Sequence, residues 1–207
     1  MANFFDFNNN FGPVEEESEL IPLMTSDDEE AILKESLPES VPILPLRNAV
    51  LFPGVVIPIS ATRDKSVKLI KNANSNNKLI GVVSQKDSNV SDPTINDVNK
   101  IGTVAKILRV LQMPDGNLTI IIQGKKRFSI EKLISETPFI TSSINELKEI
   151  SPKKDNKTFQ ATIDSIKDLA LKIIDENPNI PTEASFAIKN IHSNSFLVNF
   201  VSSNMNI

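Results

Sequence analysis

The chain has 207 residues, 40% of them hydrophobic and 23% charged, so it is long enough to bury a core and has the composition of an ordinary globular protein. It has no cysteine and one histidine, which excludes disulfides, thiolate metal sites and a cysteine nucleophile, and argues against most self-contained hydrolases. The sequence has no apolar run long enough for a bilayer and no signal peptide, so we expect a cytoplasmic protein without a membrane partner.

The first 40 residues form an acidic arm, with eleven Asp and Glu residues against one basic residue, Lys34. The rest of the chain holds 15 acidic and 21 basic residues, so the net charge of −4 conceals two parts of opposite sign. A charged block with little apolar content cannot offset the entropy of ordering. We therefore predict that residues 1–40 are mostly disordered, except for a helical turn at 31–36. The arm is either a solvating tail or a segment that contacts a basic partner or masks the body.

After the arm, the pattern predicts short strands around one early helix. Residues 41–46 and 55–59 are apolar and extended, and because their prolines cannot donate hydrogen bonds we expect both to be edge strands. A helix with Thr62 as its N-cap follows, and residues 79–83 then form a buried strand. This order of elements predicts a small, partly closed β barrel or sandwich.

The clearest β signal is a hairpin with arms at residues 102–112 and 118–123. Between the arms lies Pro114-Asp115-Gly116-Asn117, which has proline and glycine where a tight turn needs them. Two further strands are predicted at residues 128–134 and 139–147, separated by a threonine–proline pair.

The spacing of apolar residues then changes from that of strands to that of helices. One helix is marked by apolar positions three and four residues apart: Phe159, Ile163, Ile166, Ala170 and Ile173. A second helix is predicted over residues 181–191 and a third after a cap at Asn194 or Ser195. Residues 151–207 therefore form a helical lobe. Because its last helix is uncharged and apolar on one face, its residues either complete the core of the lobe or pack against protein that follows, and of the two we expect the second.

No pattern in the sequence supports catalysis. The one Gly-Lys pair, Gly124-Lys125, lacks the first glycine and the hydroxyl residue of a P-loop, and neither Gly-x-Ser-x-Gly nor His-x-x-x-His occurs. His192, the single histidine, is in a position typical of a surface or interface residue rather than a catalyst. We predict no catalytic, cofactor-binding or metal-binding residue in this chain.

One basic cluster, Lys125, Lys126 and Arg127, lies beside Phe128. It is either the solvated end of a strand or a contact for nucleic acid or an acidic partner. Nucleic-acid surfaces usually have a broader basic stripe or several stacking aromatic residues, and the chain has no Trp or Tyr.

Two motifs in a consistent order resemble the N-terminal domain of the ATP-dependent Lon proteases. The first is PLRNAVLFPG at residues 45–54, followed by Pro58-Ile59. The second consists of IGTVAKI at 101–107, MPDGN at 113–117 and QGKKRF at 123–128.

The resemblance is close over residues 41–147 and looser over the helical lobe. It implies an α+β fold, in which a PUA-like β pseudo-barrel with one early helix (41–150) precedes a C-terminal α-helical lobe (151–207). It also implies a homohexameric protease with an AAA+ motor, which uses ATP and Mg, and a Ser-Lys peptidase. The chain matches only the substrate-binding part, so no catalytic residue is carried over and we expect the chain alone not to be an enzyme.

In that family the chain would recognise unfolded or damaged proteins, with misfolded and regulatory proteins as the clients, and would assemble with copies of itself. Unfolded proteins expose apolar segments, so apolar residues at strand edges and loops are candidate contacts. These candidates are Leu44, Leu46, Leu51, Phe52, Val55 and Ile57. The candidate basic contact is the Lys125–Arg127 cluster, and Arg47 and Asn48 are expected to fix a turn instead.

Two alternatives remain open on the sequence. The chain could be a stand-alone adaptor with a Lon-like domain, in which case no motor would follow it in the gene. It could also be a weak nucleic-acid-binding protein, because some Lon proteases bind DNA and the part after the arm is basic.

Overall fold

The structure is a computed structural model that describes residues 29, 31–32, 34–113, 117–150, 152, 156–178, 180 and 183–205. The chain divides into a β-rich unit, Ile32–Lys148, and a helical unit, whose described residues are Glu29, Ala31 and those from Glu149 onward. The predicted disorder of residues 1–40 falls mostly outside the described residues. Within the arm, Glu29, Ala31, Ile32 and Lys34 are helical.

In its described part, and apart from the helical residues Ile32 and Lys34 already named, the β-rich unit has six strands, an α-helix and a 3-10 helix. Their bounds are β1 Ser40–Leu46, β2 Val56–Ala61, α1 Asp64–Ser75, β3 Leu79–Ser84, the 3-10 helix Ile95–Asp97, β4 Ile101–Gln112, β5 Leu118–Ser135 and β6 Thr141–Glu146. The N-cap of α1 is Arg63, not the predicted Thr62. The helical unit contains α2 Lys157–Glu176, α3 Glu183–Asn190 and α4 Asn194–Asn204.

The six strands form one mixed sheet in which five strands close into a ring. The order is β2-β5-β4-β3-β1-β6, and β6 also pairs with β5. β2 pairs with β5 alone among the described strands, so it is an edge strand outside the ring. The predicted α+β class with a β pseudo-barrel and a following helical lobe is confirmed.

β5 is one strand of 18 residues, not the two strands predicted at 118–123 and 128–134. Its first part pairs with β2 and β4 and its last part with β6. The hairpin of β4 and β5 is confirmed, and the N–H of Met113 donates to the carbonyl of Asn117 at 2.9 Å. The turn predicted at residues 114–116 lies outside the described residues.

β1 is not an edge strand, contrary to the prediction from its prolines. It pairs with β6 over its first half and in parallel with β3 over its second half. The N–H of Ile43 donates to the carbonyl of Ile140 beside β6, so odd-numbered residues face β6 and even-numbered residues face β3. Pro42 faces β3, but the pairing with β3 begins only at Ile43. Pro45 faces β6, but the pairing with β6 ends at Pro42. Each proline lacks its N–H where no neighbouring strand requires one.

Among its described residues, the β-rich unit has two groups of buried apolar side chains. One brings α1 against the sheet, with Leu69 of the helix and Ile120 of β5 among its members. The other surrounds Phe128, which is fully buried. A Cβ added at Gly81 or Gly102 would come 2.9 or 3.0 Å from the Phe128 ring. The ring therefore fits only because these two positions carry no side chain.

The loop between β1 and β2 is fixed to the barrel at two points. The Thr103 hydroxyl donates to the carbonyl of Leu51 at 2.7 Å. The N–H of Gly54, which has a φ of 80°, donates to the carbonyl of Gly124 at 2.9 Å. A Cβ at Gly124 would lie 2.2 Å from the carbonyl oxygen of Phe52, so the loop passes too close for any side chain there. The two sequence motifs meet at this crossing.

α2 buries Ile163 and Ile174, whereas Ile173, predicted on the buried face, is 59% exposed. Eleven residues are close to three turns of an α-helix, so Ile174 lies on the same face as Ile163 and Ile173 lies to one side. α2 also holds the end of α3, because Nζ of Lys167 donates to the carbonyl of Lys189 at 3.1 Å. A cation at this position is favourable because a helix C-terminus carries a partial negative charge.

α4 is capped by Ser193, one residue before the predicted caps. The Ser193 hydroxyl accepts from the N–H of Phe196 at 3.0 Å and donates to the carboxylate of Glu29 at 2.8 Å. The predicted apolar face is present, since Phe196, Leu197 and Phe200 are all buried.

We expect Gly124→Ala to lower the free energy of unfolding by about 1–3 kcal/mol, because its methyl group would overlap the backbone of Phe52. Urea unfolding followed by circular dichroism measures this change. The control is Gln123→Ala, a half-buried neighbour on the same strand, which should change stability by less than about 0.5 kcal/mol. Equal losses in both variants would contradict the close approach of loop and strand.

Two buried hydroxyls should respond in opposite directions when they are removed. The Ser142 hydroxyl has no hydrogen-bond partner among the described residues, so Ser142→Ala should stabilise the chain by about 1 kcal/mol. Thr103→Val leaves the carbonyl of Leu51 without its donor and should destabilise it by about 1–3 kcal/mol. The same urea titration measures both, and the same sign for the two variants would contradict these hydrogen-bond assignments.

Candidate functional site

The three strands β2, β5 and β4 turn one face to the core and the other outward. Ile57 and Ile59 of β2 pack against the core, which leaves Val56, Pro58 and Ser60 on the opposite side. Pro58 is paired with Ile121 of β5. The apolar residues on the outward side of these strands, which we call the outer face, are Val56, Pro58, Leu108, Leu111, Met113 and Ile121.

A β-bulge in β4 creates much of the outer face. The register of β4 against β5 shifts between Ile107 and Arg109, which inserts Leu108 as an extra residue. After the bulge Val110 packs on the core, and Leu111 and Met113 follow on the outward side. The exposed fractions of Leu108, Leu111 and Met113 are 41%, 36% and 39%. Sequence reasoning missed Leu111 and Met113 because strict alternation from the buried Ile107 would have placed both inside, whereas the extra residue of the bulge turns them outward. The one signal in the sequence was the excess of apolar residues over a single strand face.

The open edge of β2 is poorly suited to pairing with a further strand. The carbonyl of Val55 accepts from the N–H of Gly124 at 2.9 Å. By alternation, the backbone groups of Ile57 and Ile59 face β5 and those of Pro58 face the open edge. A proline on an open edge removes a donor and disfavours strand addition.

Four of the six predicted apolar contacts are buried and offer no surface. Leu44 and Val55 are each 2% exposed, and Leu46 and Leu51 are each 4% exposed. Three of them belong to the core beside α1, so the expected exposed loop at Leu51 is corrected. Phe52 and Ile57 are half-buried, and Ile57 also packs on the core. Apolar residues in the first motif therefore serve mainly to build the barrel.

The basic cluster lies on β5, and its two lysines are engaged within the β-rich unit. Nζ of Lys126 lies 3.0 Å from the carboxylate of Glu146, and Nζ of Lys125 lies 3.7 Å from that of Glu35. Both lysine side chains are largely buried, with 12% and 14% exposed respectively. Arg127 is exposed. Two of these three cations already have anionic neighbours, which reduces their attraction for nucleic acid.

Arg47 holds a neighbouring loop, as expected. Its guanidinium Nη2 donates to the carbonyls of Val90 and Ser91 at 3.3 and 3.4 Å. Asn48 has a φ of 50°, in the left-handed region that asparagine adopts more readily than most residues. The motif therefore supplies a turn and an anchor for the loop after β3.

The carboxylate of Asp97 has a structural role. The hydroxyl and the N–H of Thr94 donate to Oδ2 of Asp97 at 2.7 and 2.9 Å, and these hydrogen bonds hold the pKa of Asp97 below its usual value. The bond from the Thr94 N–H is one half of the capping box of the 3-10 helix, and in the other half the Thr94 hydroxyl accepts from a backbone N–H of the helix. In the described part of the chain, no three His, Asp or Glu residues are grouped as metal ligands would be. Among the described helices, none is long and apolar enough to cross a membrane.

Comparison with known proteins gives a consistent result. A family model described as the ATP-dependent protease La (LON) substrate-binding domain matches residues 40–207. The Lon protease of Flavobacterium johnsoniae is 63% identical over 191 residues, which cover 92% of this chain and 23% of that protein. The Lon protease of Parabacteroides distasonis is 40% identical over 206 residues, which cover 98% of this chain and 24% of that protein. This chain thus spans about a quarter of the length of these curated relatives.

A solved structure shares the fold. The N-terminal domain of the Lon protease of the Mycobacterium avium complex superimposes with a TM-score of 0.64 at 20% identity, covering 81% of this chain and 84% of that one. The α+β arrangement described above is therefore that of a Lon N-terminal domain. Because the family model matches residues 40–207, which are most of this chain, the chain belongs to the family of Lon substrate-binding domains.

Proposed function

We propose that the chain is a non-catalytic module that binds unfolded or damaged proteins for a cytoplasmic, ATP-dependent serine protease of the Lon type. The outer face is the observation that carries this proposal. Three large apolar side chains on one strand end, Leu108, Leu111 and Met113, are between a third and a half exposed. The description of the family as a substrate-binding domain supports the same function.

The outer face suits a client that is unfolded rather than folded. Unfolded chains expose apolar side chains that folded proteins bury, so an exposed apolar surface discriminates between the two. The proline on the open edge of β2 disfavours strand addition, and clients would therefore bind mainly through side-chain contacts with the face. Such contacts do not require a particular sequence, which fits a module that serves many clients.

Binding by one module would be weak, because the face is small. Its apolar residues are already partly buried in the free chain, so a client can cover only the part that is exposed. In a homohexamer, six modules would hold one client and raise its effective concentration at each face. The motor, which would use ATP and Mg, and the peptidase would lie in the three quarters of the relatives that this chain does not span.

The alternative functions have less support. Curated relatives about four times as long as this chain favour a module of a protease over a stand-alone adaptor. Two lysines of the basic cluster have carboxylate neighbours, so the observation that would favour nucleic-acid binding is weakened.

Replacing Leu108, Leu111 and Met113 together with serine should weaken binding of unfolded, fluorescently labelled casein by about tenfold or more, because apolar area is lost from the face. Fluorescence anisotropy measures the dissociation constant. The control is Leu169→Ser on α2, which removes a leucine that is 60% exposed and should leave binding unchanged. An unaltered affinity in the triple variant, or an equal loss in the control, would contradict the assignment of the face.

The purified chain should neither hydrolyse ATP nor cleave casein, because the groups for both reactions are expected outside it. Phosphate release and gel analysis of casein measure the two activities, with a full-length Lon protease as the positive control. If ATPase or protease activity stays with the chain through every purification step, the proposed non-catalytic role is overturned.

A further inference from the structure

The side of the sheet that carries the outer face also carries positive charge. Lys106 of β4 is paired with Gln123 of β5, which is paired in turn with Val56 of the outer face. Residues directly opposite each other on neighbouring strands lie on the same side of a sheet. Lys106 therefore lies on the outward side, and it is exposed.

Arg109 lies on the same side, in the next row of paired residues. It is paired with Ile121, which is paired in turn with Pro58, and it is exposed. Ile121 and Gln123 are two residues apart on β5, so the two rows are separated by about 7 Å along that strand. On β4 the extra residue Leu108 lies between the two cations. A client that covers Leu108 therefore comes close to both positive charges.

The strands of the outer face contain no acidic residue that could balance these charges. β2, β4 and residues 118–123 of β5 have no Asp or Glu. Among the described residues, Lys106 has no carboxylate at ion-pairing distance, whereas Lys126 and Lys125 have one at 3.0 and 3.7 Å. Arg109 already has an interaction partner. Lys106 is therefore the cation of this surface that can pair with a client.

A lysine beside apolar side chains changes which clients such a surface accepts. Its aliphatic stem adds to the apolar area, and its ammonium group stays in water. A client that covers Leu108 removes part of this water, and an ammonium group without a partner then becomes costly. A carboxylate of the client would offset that cost, and a cation of the client would add repulsion.

We propose that the outer face selects extended segments of unfolded proteins in which acidic residues are interspersed with apolar ones, and that Lys106 determines this preference. That unfolded segments bind at this face rests on the proposed function; the preference for acidic residues rests on the charges of the three strands. The net charge of the whole chain, −4, acts in the opposite direction, because it attracts basic segments. An acidic preference is therefore a local property of the face.

The test uses three fluorescent ten-residue peptides that share their apolar residues and carry Glu, Gln or Lys at two positions between them. Anisotropy titrations with the 207-residue chain should give the lowest dissociation constant for the Glu peptide and the highest for the Lys peptide. We expect a difference of about tenfold between these two, because one gains an ion pair and the other a like-charge contact. In about 1 M salt the three affinities should converge, because charges are then screened within about 3 Å.

Substitutions of Lys106 should change the preference in a graded manner. Lys106→Gln should bring the Glu and Lys peptides to within about twofold of each other, and Lys106→Glu should reverse their order. The matched control is Lys71→Glu, which reverses an exposed charge on α1 and should keep the order of the unaltered chain. Both positions are exposed, so we expect the variants to fold, and thermal melting checks this.

The outcomes separate this proposal from the proposed function. Equal affinities for the three peptides, with binding of unfolded casein intact, would overturn the charge preference and leave the proposed function standing. Tighter binding of the Lys peptide would overturn it too, because the net charge of the chain would then dominate. A Glu preference that persists in Lys106→Gln would overturn the assignment to Lys106. Absence of binding for casein and for all three peptides would instead overturn the proposed function itself.

Discussion

The pairing of β5 with three other strands is the constraint on which the rest of the β-rich unit depends. β5 closes the ring with β4 and β6, carries the edge strand β2, and supplies Ile120 to one core and Phe128 to the other. Gly124, near its middle, lets the loop after β1 cross at backbone distance. Because alternate residues of a strand face opposite sides, a shift of one residue in β5 would turn the cores outward and disturb every neighbour.

The closed ring also determines where a partner can bind. Closure removes strand edges that would otherwise pair with other chains, and among the described strands the open edge is that of β2, which carries Pro58. The bulge at Leu108 then turns the end of β4 so that apolar side chains lie outside instead of in the core. The same architecture thus disfavours strand addition at β2 and leaves an apolar surface on the outward side of the sheet.

Local patterns predicted the hairpin and the helical lobe, because turn chemistry and apolar spacing act over a few residues. Features that depend on distant partners were not predictable. The prolines of β1 indicated an edge strand, since the sequence does not show that Pro42 and Pro45 each face a side without pairing. Leu44 and Leu51 were expected at a surface because an apolar residue in a loop motif looks the same whether it fills a core or contacts a partner. The bulge at Leu108 leaves no clear signature in the sequence.

The central claim is that unfolded clients contact the outer face of this domain. Methyl NMR of the 207-residue chain tests it most directly, because side-chain methyl resonances report contacts at single residues. Our account predicts that addition of unfolded casein shifts the methyl signals of Leu108, Leu111 and Met113 and leaves that of Leu169 unchanged. Shifts confined to the helical unit, or no shifts at concentrations where casein is bound, would contradict it.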